Sequence, residues 1–463
     1  MLSHNVIERV LTAALSFGGD FSEVYVERTK TSSLSAINGL IESASTGNDL
    51  GVGIRVLNGV RSVYVFSNDL SEKTLIRLAE NASRALAEVP GKLNVSLNGR
   101  NDYHSSKPVK LPLSVKQTTK SDVLRLASSR AKAYSELITQ TSSFYADTER
   151  EILIANSEGN YITDKRVRTR FMIDAVATLG NEKQTGYIAP GGNGGFEFIE
   201  SLSIENLADE AARIAVTMVK AGPCPSGRFP VVIGNGFGGV IFHEACGHAL
   251  EATSVGIGAS VFSGKLGTQI ASSVVTAIDD PTMTGEWGSF EVDDEAVAPV
   301  RHVLIRDGIL NSYLIDRIGA RRMNTVSNGA GRRESYKYAP TSRMSNTFIE
   351  SGFDTQEQII ASTPYGIFAA SMGGGSVDPS TGEFNFAVTE AYMIRNGKLA
   401  EPVRGATLIG KGHEILMNID RVGNIRKLTQ GMCGSISGYV PTNVGQPAIR
   451  VSEITVGGQN NDI

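Results

Sequence analysis

Three cysteines, one tryptophan and six histidines are spread over 463 residues, and each scarcity removes a class of protein. Cys224, Cys246 and Cys433 form no close pair, so no disulfide framework is encoded and a reducing compartment is implied. No apolar run approaches the ~20 residues that a membrane span requires. Neither sign of charge is in surplus: 44 basic residues face 48 acidic ones, a formal net charge of −4. Without a basic excess the chain lacks the electrostatic footprint of phosphate-backbone binding, which argues against nucleic acid as a partner. The N-terminal stretch has no basic region, unbroken apolar core or small-residue cleavage site, so it does not read as a signal peptide. Its apolar residues Ile7, Val10, Leu11, Ala14 and Leu15 fall at helical spacing instead, the pattern of an amphipathic core helix. These absences predict a soluble, cytoplasmic protein.

What is present is glycine, 50 residues against 15 prolines, much of it between short alternating runs such as "GVGIRVLNGVRSVYVFS". Such runs read as antiparallel strands joined by tight turns. Together with amphipathic helices they give an α+β fold with a mainly antiparallel sheet. In the first half the order helix, strands, helix occurs twice, over 1–95 and 118–222, an internal repeat in element order rather than identity. The strands of the first unit are "SEVYVER", "SSLSAIN", "LGVGIRVL" and "RSVYVFS", and those of the second "SSFYADTER", "EILIANSEG" and "RTRFMIDAVAT". Each closing helix starts at a serine, Ser71 or Ser203, followed by acidic residues, which is capping chemistry. The polar segment "PGKLNVSLNGRNDYHSSKPVKLP" reads as a connector. A boundary falls at "KAGPCPSGRFP", dividing the chain into an N-terminal α/β domain, 1–222, and a C-terminal β-rich domain, 223–463.

The chemistry is concentrated in "IFHEACGHALEAT", which follows the β-rich run "PVVI" and the turn "GNGFGG". Gly234, Gly236 and Gly239 satisfy the dinucleotide fingerprint between a strand and a helix, but no acidic strand end follows ~20 residues on. The glycines read better as a turn that brings the helix close to the sheet. His243 and His248 are five residues apart, which in a regular α-helix turns them roughly 140° away from each other. A single metal site therefore demands a local distortion between Glu244 and His248, and a π-bulge at Gly247 would supply it. With the distortion, two neutral imidazoles can bind Zn²⁺ while Glu244 faces the open position as general base. Without it, the segment is an Ala-rich helix with two satisfied surface histidines. The residues alone leave Glu251, Cys246, His302, His413 and Cys433 as candidates for a third ligand.

Several stretches in order resemble one family. "HEACGHALEAT", "DDPTMTGEWGSFEVDDEA", "GAGRRESYKYAPTSRMSNTFIESG", "GEFNFAVTEAYMIRNGKLAEPVRGATLIGKG" and "GMCGSISGYVPTNVGQPAIRVSEITVGG" are similar to the TldD/PmbA metallopeptidases, specifically the zinc-motif-retaining TldD type. The resemblance implies one zinc ion per catalytic chain on His243, His248 and Cys433, with Glu244 as base. It implies a two-layer α/β N-terminal domain, a metal-bearing C-terminal domain, and cleavage of peptides in a cavity enclosed by two subunits. The partner would be a second copy or a PmbA-type chain lacking the zinc motif. The family often carries an Arg-rich stretch where this chain reads "TGEWGS", so a substrate contact there is absent or replaced by Glu286 and Trp287.

Beyond the metal, a peptidase needs a cation or hydroxyl aimed at the developing oxyanion. "GRRESYKYAPTSR" offers Arg332, Arg333, Tyr336 and Arg343 as substrate-binding candidates on a loop, with solvated or interfacial roles as the alternative. Asp293 and Asp294 suit turn capping better than a cation site, and "SMGGGSVDPSTGEF" reads as a lid or a hairpin loop. The sequence thus predicts a zinc-dependent peptidase acting on unfolded or small peptides and peptide precursors, held by strand addition at a sheet edge. The rival reading is a regulatory or assembly subunit with a structural zinc and a peptide-binding cavity.

Overall fold

The computed structural model describes residues 2–86, 94–378 and 381–458. Helix α1 (His4–Ala14) buries Ile7, Val10, Leu11 and Ala14, as its periodicity requires. It leads into β1 (Phe21–Ile37), β2 (Leu40–Asn58), β3 (Arg61–Ser67) and α2 (Glu72–Ala85). The next segment adds the short strand β4 (Asn101–Tyr103), then α3 (Gln117–Ala133), β5 (Ile138–Asn156), β6 (Tyr161–Leu179), β7 (Glu182–Ile188), α4 (Glu197–Ser201) and α5 (Ile204–Lys220). The strands form one sheet in the order β3-β2-β1-β5-β6-β4, with β7 also on β6. Each half runs helix, long hairpin, third strand, helix, and the halves meet where β1 pairs antiparallel with β5.

The short runs expected from the sequence are parts of longer strands. "SEVYVER" and "SSLSAIN" both lie in β1, and "SSFYADTER" and "EILIANSEG" both lie in β5. The polar residues between them do not end the strands, because β1 is laddered on both sides along this stretch. The β1–β2 turn is Asn38-Gly39 with φ of 49° and 79°, the left-handed pair that a two-residue hairpin needs. Ser71 and Ser203 do occupy the N-cap positions of α2 and α5, but neither side chain caps. The Ser71 hydroxyl donates to Asp69 Oδ2 instead, at 3.1 Å. The expected connector contributes β4, parallel to β6; its residues 90–93 lie outside those described.

Two cores lie under this sheet. One packs α1 and α2 against Val24, Val26, Val52, Ile54 and Val56. The other packs α3 and α5 against Tyr145, Phe171, Ile173 and Ala175. Small residues set the spacing of the second layer: a Cβ on Gly186 would lie 1.9 Å from the Ala211 carbonyl oxygen of α5.

From Gly222 onward the chain builds a small two-stranded sheet, in which Gly331–Arg332 pairs with Thr341–Ser342, and two large sheets around one large core. In one, the strand Gly227–Ile233 lies between Tyr365–Val377 (parallel) and Ile449–Gly457 (antiparallel). The other ends in an antiparallel hairpin of Lys427–Ser435 and Gly438–Gln446, here the cysteine hairpin, with Lys427–Ser435 at the sheet edge. "SMGGGSVDPSTGEF" belongs to the hairpin of Tyr365–Val377 and Glu383–Arg395, its residues 379–380 lying outside those described. The whole is α+β with mainly antiparallel sheets. Among the described residues no helix is long and apolar enough to cross a membrane.

A seam of buried charges joins the N-terminal sheet to the rest. Arg55 pairs with Glu295 and Arg333 with Glu23, all four buried. Arg166 Nη1 reaches Asp294 Oδ1 at 2.7 Å and its Nε reaches Asp164 Oδ2 at 2.8 Å. Such pairs add little net stability because desolvation offsets attraction, but breaking one leaves a costly bare charge, so they fix how the layers meet. Asp293 does cap its turn, accepting from the N–H groups of Glu295, Val297 and Gly331.

At the margin of the seam, burial first and the neighbouring Glu295 second push the Asp316 carboxyl up to about 6 from 3.8. The folded chain therefore holds this proton more tightly than the unfolded chain. Its stabilising contribution is complete below pH ~4 and is lost as pH rises through about 6. Asp316→Asn, which keeps an oxygen for the Gly319 N–H, should remove that dependence. In urea titrations the variant is expected to gain up to about 3 kcal/mol on the wild type between pH 4 and 7; parallel pH profiles would contradict the assignment.

Candidate metal centre

The strand Gly227–Ile233 delivers the chain into the glycine turn, and the turn delivers α6 (Val240–Ala245) into the space between the two C-terminal sheets. A Cβ on Gly239 would lie 2.5 Å from the Gly445 backbone, and one on Gly234 would lie 2.7 Å from the Ala370 carbonyl oxygen. These glycines therefore serve close packing of the turn against the neighbouring strands. Ile241, Phe242 and Ala245 bury themselves in the core, which turns His243 and Glu244 the other way.

The backbone then leaves the α-helical path. Cys246 sits at φ −132°, ψ −46°, and Gly247–Leu250 continues as a 3₁₀ turn. The distortion demanded by the five-residue spacing is present, but it is a change of helix type and not the expected π-bulge. Packing explains the form it takes. A Cβ on Gly247 would meet Met344 Sδ at 2.2 Å, and a Cβ on Gly412 would meet the Ala245 carbonyl oxygen at 1.9 Å. The segment is pressed from both sides, with no room for a widened turn. As a result the imidazoles of His243 and His248 lie 5.0 Å apart, nearly perpendicular at 81°.

Cys433, on the cysteine hairpin, meets both. Its Sγ is 3.2 Å from His243 Nε2 and 3.2 Å from His248 Nε2. Among the described residues these three ligand atoms converge, all within 4.8 Å of one another. Zinc–ligand lengths of ~2.0 and ~2.3 Å in a tetrahedron would put nitrogen and sulfur about 3.5 Å apart, so both nitrogen–sulfur distances come within a few tenths of an ångström of those around one ion. His243 and Cys433 are buried, whereas His248 and Glu244 are half-buried. Glu244 Oε2 lies 3.6 Å from His248 Nε2, on the accessible side.

The electrostatics suit a thiolate donor. Burial opposes charge on Cys433, yet His243 and His248 outweigh it and hold the thiol well below its ordinary range. Burial likewise opposes charge on His248, and Glu251 followed by Cys433 raises its pKa well above the usual value. A metal ion would take the place of the shared protons.

Of the other candidates, Glu251 stands behind the set: its Oε2 is 3.2 Å from His248 Nδ1. Cys246 is buried among apolar residues, which pushes its thiol pKa up. His302 is buried near Asp279 and Asp280, away from the cluster, and His413 is exposed at the start of a short helix. Arg332, Arg333, Tyr336 and Arg343 do not lie on an open loop; all four are buried. Arg332 donates to the Met344 and Pro441 carbonyls, Arg333 pairs with Glu23, and Tyr336 donates to Asp49 at 3.1 Å. Arg343 alone of these touches the site, through backbone: it donates to the carbonyl of Cys433, and its Nε lies 3.8 Å from Glu251 Oε1. Its link between Cys433 and Glu251 left no signal in the sequence, because the loop pattern resembles any solvated basic turn. Trp287 donates to the Gly431 carbonyl at 2.8 Å, and Glu286 accepts from Asn443 at 2.7 Å, so both brace the cysteine hairpin.

Family models cover most of the chain: the PmbA/TldA metallopeptidase domain 1 matches 22–86, the central domain 110–219 and the C-terminal domain 226–458. The chain is 35% identical over 455 residues to the metalloprotease TldD homolog of Haemophilus influenzae, covering 95% of this chain and 93% of that one. It is 24% identical over 457 residues to the zinc metalloprotease TldD homolog of Saccharolobus solfataricus, covering 97% and 99% respectively. The crystal structure of TldE from Thermococcus kodakarensis has the same fold, with a TM-score of 0.76 at 20% identity over 98% of this chain and all of that one.

Partners behind a metal-binding imidazole orient it and raise its basicity. Glu251→Gln, which keeps the shape and removes the charge beside His248 Nδ1, is expected to weaken zinc binding about 10- to 100-fold in chelator competition. Unchanged affinity would show that Glu251 has no part in holding the ring.

Proposed function

The chain belongs to the TldD/PmbA metallopeptidase family, and from that premise we propose that it is a zinc-dependent peptidase acting on unfolded or small peptides and peptide precursors. The observation that carries the reading is the convergence of His243, His248 and Cys433 with Glu244 beside them on the accessible side. His243 Nε2, His248 Nε2 and Cys433 Sγ would hold one zinc ion per chain and leave a fourth position for water or substrate. Zinc bound there supplies a Lewis acid that brings the pKa of a bound water to about 7.

The remaining work falls to side chains of this chain. Glu244 holds a carboxylate next to the open position, where it takes a proton from water and passes it to the leaving amine nitrogen. Glu251 keeps His248 in the tautomer that presents Nε2 forward. Arg343 fixes the backbone of Cys433. The same reading divides the chain at residue 222, after α5, where Gly222–Pro223 already pairs with a strand of the C-terminal sheet. It also pairs the chain with a second copy or a PmbA-type subunit. Against a purely structural zinc stands Glu244, since a structural site usually closes with four protein ligands and has no use for a base.

Removal of the metal with 1,10-phenanthroline is expected to abolish cleavage of an unfolded peptide, and added zinc to restore it. Glu244→Ala should retain one zinc per chain by metal analysis while losing about 100-fold or more in turnover. Full activity in that variant would end the assignment.

A further inference from the structure

The face of the cysteine hairpin turned away from Cys433 Sγ closes a cavity of about 250 Å³ against the N-terminal sheet. Strand alternation defines the two faces: Met432 pairs with Pro441 and Gly434 with Tyr439 on one, Cys433 with Val440 on the other. Arg150 of β5 and Arg166 and Arg168 of β6 form one wall, and Trp287, Met432 and Tyr439 form the apolar remainder. One carboxylate, Glu334, also lines the space, and it is engaged by the Tyr439 N–H at 2.7 Å.

The three guanidinium groups are not equally neutralised. Arg166 has Asp164 and Asp294, and Arg150 has Glu27 at 3.5 Å. Arg168 is 9% exposed and donates only to the carbonyls of Trp287 and Ser289, at 2.9 and 3.2 Å. Among the described residues it has no carboxylate within ion-pair distance. Neighbouring Arg332, 4% exposed, also donates only to carbonyls among the described residues. Arg168 and Arg332 therefore bury positive charge here without a carboxylate at ion-pair distance, a costly arrangement unless something else supplies the negative charge. Burial, followed by the charges of Arg166 and Arg332, holds the Arg168 pKa well below its usual value, the direction that an incoming anion would reverse.

We infer that this cavity binds a carboxylate carried on a short apolar stem, the group found at the C-terminus of a peptide or on a glutamate within one. The guanidinium wall takes the carboxylate by charge-assisted hydrogen bonds, and Trp287, Met432 and Tyr439 take the stem. Met432 adjoins Cys433, so the occupant touches the strand that carries the thiol. The peptide nature of the occupant rests on the peptidase reading, whereas its charge rests on the cavity alone.

Trp287 is the one tryptophan of the chain, so its fluorescence reports this cavity directly. The full-length zinc-loaded chain carrying Glu244→Gln, to suppress turnover, is titrated with three blocked dipeptides. These are acetyl-alanyl-leucine with a free C-terminus, acetyl-alanyl-glutamate as its C-terminal amide, and acetyl-alanyl-leucine amide. A saturable change in emission is expected for a carboxylate-bearing peptide, with the neutral amide about 10-fold weaker or worse. Whichever of the first two binds identifies the source of the carboxylate. Arg168→Gln should erase the discrimination, and Arg168→Lys should keep part of it. If Arg168→Gln does not fold, Arg150→Gln at the half-buried edge of the wall must reduce the discrimination at least ~3-fold. Equal binding of all three peptides, or discrimination untouched by these variants, overturns the inference. Peptide cleavage without any carboxylate preference in binding overturns it too, while leaving the peptidase reading intact.

Discussion

Two imidazoles five residues apart share one side of the chain only because the backbone changes helical type at Cys246. An unbroken α-helix would send them roughly 140° apart, and the thiol of Cys433 could then meet one of them at most. The break is not a property of the histidine segment by itself. Gly247 yields to Met344, and Gly412, at the start of its short helix, lets that helix lie against Ala245, so the surrounding packing imposes the turn. The proposed zinc site thus depends on two glycines, neither of which carries a functional group.

The same dependence on remote packing extends to the cysteine hairpin. Lys427–Ser435 is an edge strand, and edge strands carry unpaired backbone groups that invite mispairing. Here the Gly431 carbonyl is taken by Trp287 and the Cys433 carbonyl by Arg343. These contacts hold the thiol in place and at the same time blunt the edge around it. A strand added at this edge would have to use backbone groups other than these two carbonyls.

Much of this was legible in the primary structure, for reasons that can be stated residue by residue. Helical periodicity at Ile7, Val10, Leu11 and Ala14 showed the buried face of α1, because one face of that helix meets a single core. The need for a distortion between Glu244 and His248 followed from arithmetic on the helix. Its form did not, since Met344 and Gly412 lie far off in sequence. Cys433 was selected by family resemblance and not by spacing. The length of β1 and β5 was hidden because their polar middles are held by ladder hydrogen bonds, which leave no mark on side-chain chemistry. Arg333 reads as a loop cation because the Glu23 that pairs with it sits 310 residues away, and Arg332 does because one of the carbonyls it donates to, that of Pro441, is 109 residues away.

The converging side chains come from opposite ends of the C-terminal half, with His243 and Cys433 separated by 190 positions. During synthesis, which releases the N-terminal part first, the histidine segment emerges long before the hairpin that completes the cluster. Nearly the whole polypeptide must leave the ribosome and fold before the three donors can meet. On the proposed reading the nascent chain is in this sense born latent, since the site stays incomplete until translation has passed Cys433.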